Sequence, residues 1–248
     1  MKNRKLQILL ILCLFLICQI SSQEIYMKVI YKKASTIMLK KKKESYATKI
    51  LEQTQEEMNK LEYVLLFNNS ASIFKEVPKM EIESDDMAIR LGKLFGDTAG
   101  VFYTDKKTGK TYREREFESE LFQVEHNKIT DWILTQENKK IGKYTCYKAT
   151  KKDSYIGSSG GRLYYNVTAW YTLELPYNYG PIKYNGLPGL ILEIENRQAK
   201  IYVEKIEVNP KQKEPIIKPT KGEKIMEADY DKMITGLAID FRKKHRNN

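Results

Sequence analysis

Apolar and polar positions alternate with a period near two along much of this chain, and short turn-forming clusters separate the alternating runs. Glu24–Tyr31 (EIYMKVIY) is rich in β-branched and aromatic residues and predicts a first strand. Leu61–Phe67 predicts a second, ended by the turn Asn68-Asn69-Ser70. Gly100–Asp105 and Thr111–Phe117 predict a hairpin with Gly109 in its turn, where glycine supplies a positive φ. Trp132–Thr135, Tyr144–Thr150, Arg162–Leu173, Leu190–Ile194 and Ala199–Val208 predict further strands, the last two joined through Asn196-Arg197. A period near 3.6 appears at three places: Ser45–Lys60, with Tyr46, Ile50, Leu51 and Met58 on one face; Met87–Phe95; and Glu227–Lys243, with Tyr230, Met233, Ile234, Leu237 and Phe241 on one side. The last predicts a C-terminal helix of about residues 224–244, reached through a Lys/Pro-rich tether, Pro210–Pro219. Many strands in series with few helices predict a mostly β (α+β) fold: a curled antiparallel sheet or partly open barrel with a few packed helices.

The first 22 residues follow a different pattern. Lys2, Arg4 and Lys5 precede an almost unbroken apolar run, Leu6–Ile17, and Ser21 and Ser22 are small residues suited to a signal peptidase. This is the three-part build of a secretory signal, with Gln23 opening the mature chain and 23–248 forming a single domain. A membrane anchor competes poorly, because a span needs about 20 apolar residues. A lipoprotein signal ending at Cys18 competes poorly too, because Ile17 stands where a small residue is wanted. Loss of the signal removes Cys13 and Cys18, and the remaining Cys146 cannot form an internal disulfide. Net charge is +11, of which the signal carries three. That balance reads first as solubility, with lysines spread over a solvated surface; the partners it would suit in an exported chain are anionic lipid, lipopolysaccharide or acidic polymer, not nucleic acid. The expected address is therefore periplasmic or outer-membrane-associated.

Gly186-Leu187-Pro188-Gly189-Leu190-Ile191 is the strongest local signal. Pro188 fixes φ and Gly189 permits a positive φ, which predicts a type II turn. Gly186 predicts a positive φ or a close approach, and the following LILEIE launches a strand. The order Trp132, Ile141–Ala149 with Cys146, Ala169-Trp170-Tyr171-Thr172, Gly180-Pro181 and Gly186–Ile191 resembles the GLPGLI family of exported bacterial proteins, closely over residues 130–208. The resemblance implies an envelope protein and no particular reaction. It marks Cys146, Trp170, Tyr171, Gly180, Pro181 and Gly186–Ile191 as motif positions with structural roles.

Other constellations in the chain offer weaker chemical signals. Gly157-Ser158-Ser159-Gly160-Gly161 matches the G-x-S-x-G nucleophile elbow, but that motif needs a helix after it, and Arg162 onward predicts a strand. The histidines are His126 and His245, and neither has a second His or Cys at metal-ligand spacing. The acidic run with Glu81, Glu83, Asp85 and Asp86 lacks a calcium-loop pattern. Cys146 in YTCYKA predicts a buried, inert thiol, with flanking Lys143 and Lys148 keeping a reactive one in view. Thr98 within Asp97-Thr98-Ala99 suits bacterial O-glycosylation. No catalytic residue, metal or cofactor is assigned. The expected function is a non-enzymatic binding or carrier domain for an apolar ligand or an outer-membrane partner. The alternatives are an interaction module using a basic surface and, less favoured, a hydrolase or thiol enzyme.

Overall fold

The computed structural model describes residues 25–37, 45–78, 87–94, 97–117, 119–157 and 160–246. The predicted signal sequence, the lysine run Lys40–Lys43, the acidic segment Met80–Asp86 and Ser158-Ser159 lie outside these residues, as do the side chains of Phe241 and His245.

Twelve strands and three helices are present among the described residues. They run β1 (Met27–Ser35), α1 (Tyr46–Lys60), β2 (Glu62–Phe67), β3 (Ala71–Glu76), α2 (Met87–Leu94), β4 (Val101–Asp105), β5 (Thr111–Phe117) and β6 (Glu120–His126). The chain continues through β7 (Ile133–Ile141), β8 (Tyr144–Ile156), β9 (Arg162–Thr172), β10 (Leu190–Glu195), β11 (Ala199–Val208), β12 (Glu223–Met226) and α3 (Glu227–Arg246). All strands belong to one open, curled sheet of order β12-β6-β5-β4-β3-β2-β1-β11-β10-β9-β8-β7. Every pairing is antiparallel except β12 with β6, so the sheet is mixed. β1 lies in the middle, between β2 and β11.

The inner face of the curl holds the main core. Val29, Tyr31, Tyr63, Leu65, Phe67, Phe74 and Phe102 come from one wing, and Ala149, Val167, Ala169 and Tyr171 from the other. The two wings belong to one apolar cluster because the chain between β9 and β10 lies between them. A fully buried side chain such as Leu65 contributes about 1.5–3 kcal/mol relative to exposure. The outer face has its own smaller cluster, Tyr26, Val64, Leu66 and Ile73, partly covered by Ile216. β2 is buried on both sides, which explains its nearly continuous apolar run.

Pro210–Pro219 is not a free tether. It is a strap across the outer face: Tyr26 Oη donates to the Glu214 carbonyl at 2.7 Å, and the Glu214 carboxylate meets Lys75 Nζ at 3.0 Å and Lys28 Nζ at 3.6 Å. The strap delivers the chain to β12, so residues 223–226 are strand where a helix was expected, and α3 begins at Glu227. Tyr230, Met233 and Ile234 then pack on Phe122 and Val124 of β6, whereas Leu237 is exposed.

α1 starts at Ser45, whose Oγ accepts from Thr48 N at 3.2 Å, an N-cap interaction. Met58 is buried against the sheet side, but Tyr46 faces solvent, so the apolar face is narrower than its sequence implies. Two buried basic side chains hold α2 and the segment after it. Lys33 Nζ donates to the Gly92 carbonyl at 2.8 Å and to Thr98 Oγ1 at 2.7 Å. Arg113 donates to the Ala99 carbonyl through Nε at 2.9 Å and Nη2 at 2.7 Å, and pairs with Asp97 at 2.8 Å. Thr98 is buried in this clamp, which removes it as an exposed glycosylation acceptor.

Candidate functional site

Residues 173–189 leave β9, cross the inner face as a plug, and return into β10. Tyr179, Ile182, Tyr184 and Leu187 are its buried apolar anchors. Its backbone is tied to itself and to the sheet: Gly186 N donates to the Asn178 carbonyl at 3.0 Å, and Ile191 N to the Tyr179 carbonyl at 3.1 Å. Tyr31 Oη donates to the Ile191 carbonyl at 2.6 Å, and Trp132 Nε1 to the Asn185 carbonyl at 2.9 Å. Asn185 Nδ2 reaches Thr111 Oγ1 at 3.1 Å on the opposite wing.

The motif positions are the plug's corner. Gly180, Pro181, Leu187, Gly189, Leu190 and Ile191 are buried, and Pro188 is exposed at the bend. Gly186 has φ +88°, a conformation that favours glycine. The predicted positive φ at Gly189 is absent. Glycine is required there because a Cβ would lie 1.9 Å from the Thr172 carbonyl oxygen, so β9 and the corner approach each other closely.

Beside the plug lies a polar cavity of about 160 Å³ lined by His126, Asp131, Lys151, Asp153, Lys183 and Glu227, among others. Lys183, carried by the plug, donates to Glu227 Oε1 at 2.6 Å and pairs with Asp153 Oδ2 at 3.2 Å. Tyr184 Oη donates to the same Asp153 oxygen at 3.2 Å. His126 Nδ1 sits 3.1 Å from Glu227 Oε2, close enough for an ion pair but off the line of a good hydrogen bond. Burial alone would raise the Glu227 carboxyl, but the His126 contact and the Lys183 charge outweigh it and hold it well below the usual carboxylate range. Burial likewise works against the Lys183 charge, and Glu227 and Asp153 reverse the balance and hold the ammonium protonated well above the ordinary lysine range.

These directions decide what the cluster can do. A general acid or base needs a pKa near the operating pH. Glu227 stays ionised and Lys183 stays charged across the neutral range, so the first is no proton donor and the second no nucleophile. The arrangement is an electrostatic tie that joins the plug, β8 and the start of α3. Sequence reasoning singled out His126 alone of this group. Lys183, Asp153 and Glu227 are 30 and more residues apart and carry no spacing signal. Among the described residues, no group of three or more His, Cys, Asp or Glu side chains is placed to hold a metal.

The remaining candidates separate from this cavity. Cys146 is fully buried, and burial pushes its thiol up to about 11 despite the nearby Lys139 charge. It is the buried thiol that its strand context predicts. Tyr171 is buried in the inner core. Trp170 lies under Lys139 Nζ, 4.3 Å from the ring centroid, and Lys139 also binds Glu193 at 2.7 Å. The Gly157–Gly161 loop joins β8 to β9 as a hairpin, so no helix follows it and the nucleophile-elbow context is missing.

The family described as "Protein of unknown function (Porph_ging)" matches residues 162–193. That stretch is β9, the plug and the first residues of β10. No curated protein matches the sequence. Among solved structures, the chain is similar to "Structure of PNGF-II in P21 space group", with a TM-score of 0.50 and 12% identity, covering 84% of this chain and 33% of that one. A second structure, "Structure of PNGF-II in C2 space group", gives a TM-score of 0.46 at 13% identity, covering 87% and 32%. The chain thus spans about a third of the length of those proteins. At such identity the likeness is one of fold alone.

Proposed function

We propose that this protein is a non-enzymatic interaction module of the bacterial envelope, exported by its first 22 residues, which docks on an anionic partner through its basic surface. The observation that carries the reading is the plug. An apolar carrier needs a hollow, and the inner face that would supply one is filled by Tyr179, Ile182, Tyr184 and Leu187. The titratable groups beside the plug neutralise one another. What the fold leaves for recognition is its exterior, on a chain whose net charge is +11, three of which fall in the signal.

The test is association of the purified protein with an envelope extract across a salt series. Exposed charges are largely screened beyond a Debye length of about 10 Å at 0.1 M salt and about 3 Å at 1 M. Binding is expected to fall severalfold over that range. Association that ignores salt overturns the reading, and a native N-terminus at Met1 overturns the exported address.

A further inference from the structure

The outer face near the β12 edge carries a basic recess that no motif marks. Strand register places Tyr112 of β5 opposite Glu125 of β6, Gln123 opposite Lys224 of β12, and Glu125 opposite Met226. These side chains alternate away from Phe122, Val124 and Ile225, which pack with Tyr230 and α3 on the other side. The strap walls the recess from above. Gln123 Nε2 donates to the Pro219 carbonyl, and Lys218 Nζ lies over the Tyr112 ring, 3.4 Å from its centroid. Between strap and strand is an open-mouthed cavity of about 270 Å³, with Tyr112, Lys218, Lys224, Ile225 and Met226 in its lining.

Glu125 also lines this cavity, but lysines outnumber carboxylates around it. Lys218 and Lys224 line it, Lys106, Lys107 and Lys110 lie on the adjoining β4–β5 connection, and Lys221 follows on the strap. The nearby carboxylates are largely engaged. Glu125 is paired with Lys110, and Asp105 accepts from Thr108 N at 2.8 Å. β12 is also an end strand of the sheet, so its outer edge has no strand partner among the described residues. An unpaired edge offers main-chain N–H and C=O groups to an incoming extended segment.

We propose that this recess is the docking site for an extended acidic peptide segment of a partner protein, whose carboxylates meet Lys218 and Lys224 and one of whose apolar side chains enters the cavity over Tyr112 and Met226. The proposal rests on the basic-surface reading above and assigns it a place and a partner chemistry. A peptide fits better than an anionic polysaccharide or a lipid surface, because the cavity combines lysines with apolar walls at an open strand edge.

The experiment measures binding of a fluorescent peptide of alternating glutamate and leucine, a sulfated polysaccharide, and phosphatidylglycerol vesicles to the full protein. It compares K218E/K224E with K200E/K205E, a pair of equal charge change on β11. At about 50 mM salt, K218E/K224E is expected to weaken peptide binding at least tenfold and K200E/K205E less than twofold. Equal losses in the two variants overturn the site and leave the basic-surface reading standing. Binding of polysaccharide or vesicles through Lys218 and Lys224, without peptide binding, overturns the peptide assignment. Absence of binding to all three probes, together with salt-insensitive envelope association, overturns both readings. Should K218E/K224E melt early, the single variants K218Q and K224Q carry the test, each with an expected loss of at least threefold.

Discussion

Lys183 Nζ lies 2.6 Å from Glu227 Oε1, and this contact fastens the plug to the first residue of α3. The same ammonium reaches Asp153 on β8, so one cation serves two carboxylates. Lys183→Met leaves both without a counter-charge in a largely water-excluded place. The variant is expected to lose about 2–3 kcal/mol, below the ~3–5 kcal/mol of a fully buried pair because Glu227 retains some contact with water. Urea denaturation should show the midpoint falling with an unchanged slope.

Glu227 also sets an acid limb. Its folded carboxyl is held below its ordinary value of 4.5, so its stabilisation is complete above that value. As pH falls further, the unfolded chain takes up the proton first and the stabilisation drains away. Glu227→Gln should therefore show a flatter loss of stability from about pH 5 to about pH 2 than the unaltered protein, read by denaturation at each pH.

Lys33 acts at the other end of the scale with the same sense. Burial lowers its ammonium from 10.5 to about 7, with Glu76 and Asp97 offsetting part of the effect. Between those values the unfolded chain holds a proton that the folded protein lacks, so stability rises as pH climbs through the window. Lys33→Met is expected to abolish that rise, although it also gives up the bonds to Gly92 and Thr98. Unfolding free energies at pH 7, 8, 9 and 10 would read the slope directly.

The corner glycines differ in kind and should differ in consequence. Gly189→Ala drives a methyl group into the Thr172 carbonyl, backbone against backbone, and should yield no folded protein. Gly186→Ala places an L side chain at φ +88° and should fold with a loss of about 1–3 kcal/mol. Soluble expression and thermal melting distinguish the two.

Cys146 should resist thiol reagents in the native state and react stoichiometrically once the protein is unfolded in denaturant. Labelling of the folded protein at a rate near that of a free thiol would revive the thiol-enzyme alternative.

The strands whose apolar residues are dense, β2, β9, β10 and β11, were legible because alternation or a continuous β-branched run survives in the sequence. β3, β6 and β12 were not. Ala71–Glu76 and Glu120–His126 carry buried polar residues, Ser72 in the first and Gln123 and His126 in the second, and the partners of Gln123 and His126, Pro219 and Glu227, come from distant segments. Glu223–Met226 is a strand only because β6 receives it. The corner Gly186–Ile191 announced itself through its glycines, but its task of filling the curl depends on a wing that lies more than a hundred residues earlier. The Lys183 tie was invisible for the same reason: three charges from three elements have no shared spacing. The strap hid behind its composition, since lysine and proline read as solvated until Ile216 and Glu214 are seen against the outer face.

β1 sits between β2 and β11, so the earliest described strand is completed by one that ends at Val208. The left and right halves of the sheet therefore cannot be joined until nearly the whole polypeptide has been made, and the joining requires a loop closure across most of its length. Contacts so far apart in sequence make for slow assembly. A nascent or translocating chain would wait with the seam of its sheet open, and a truncation anywhere before β11 would leave two unclosed halves instead of a smaller version of the same fold.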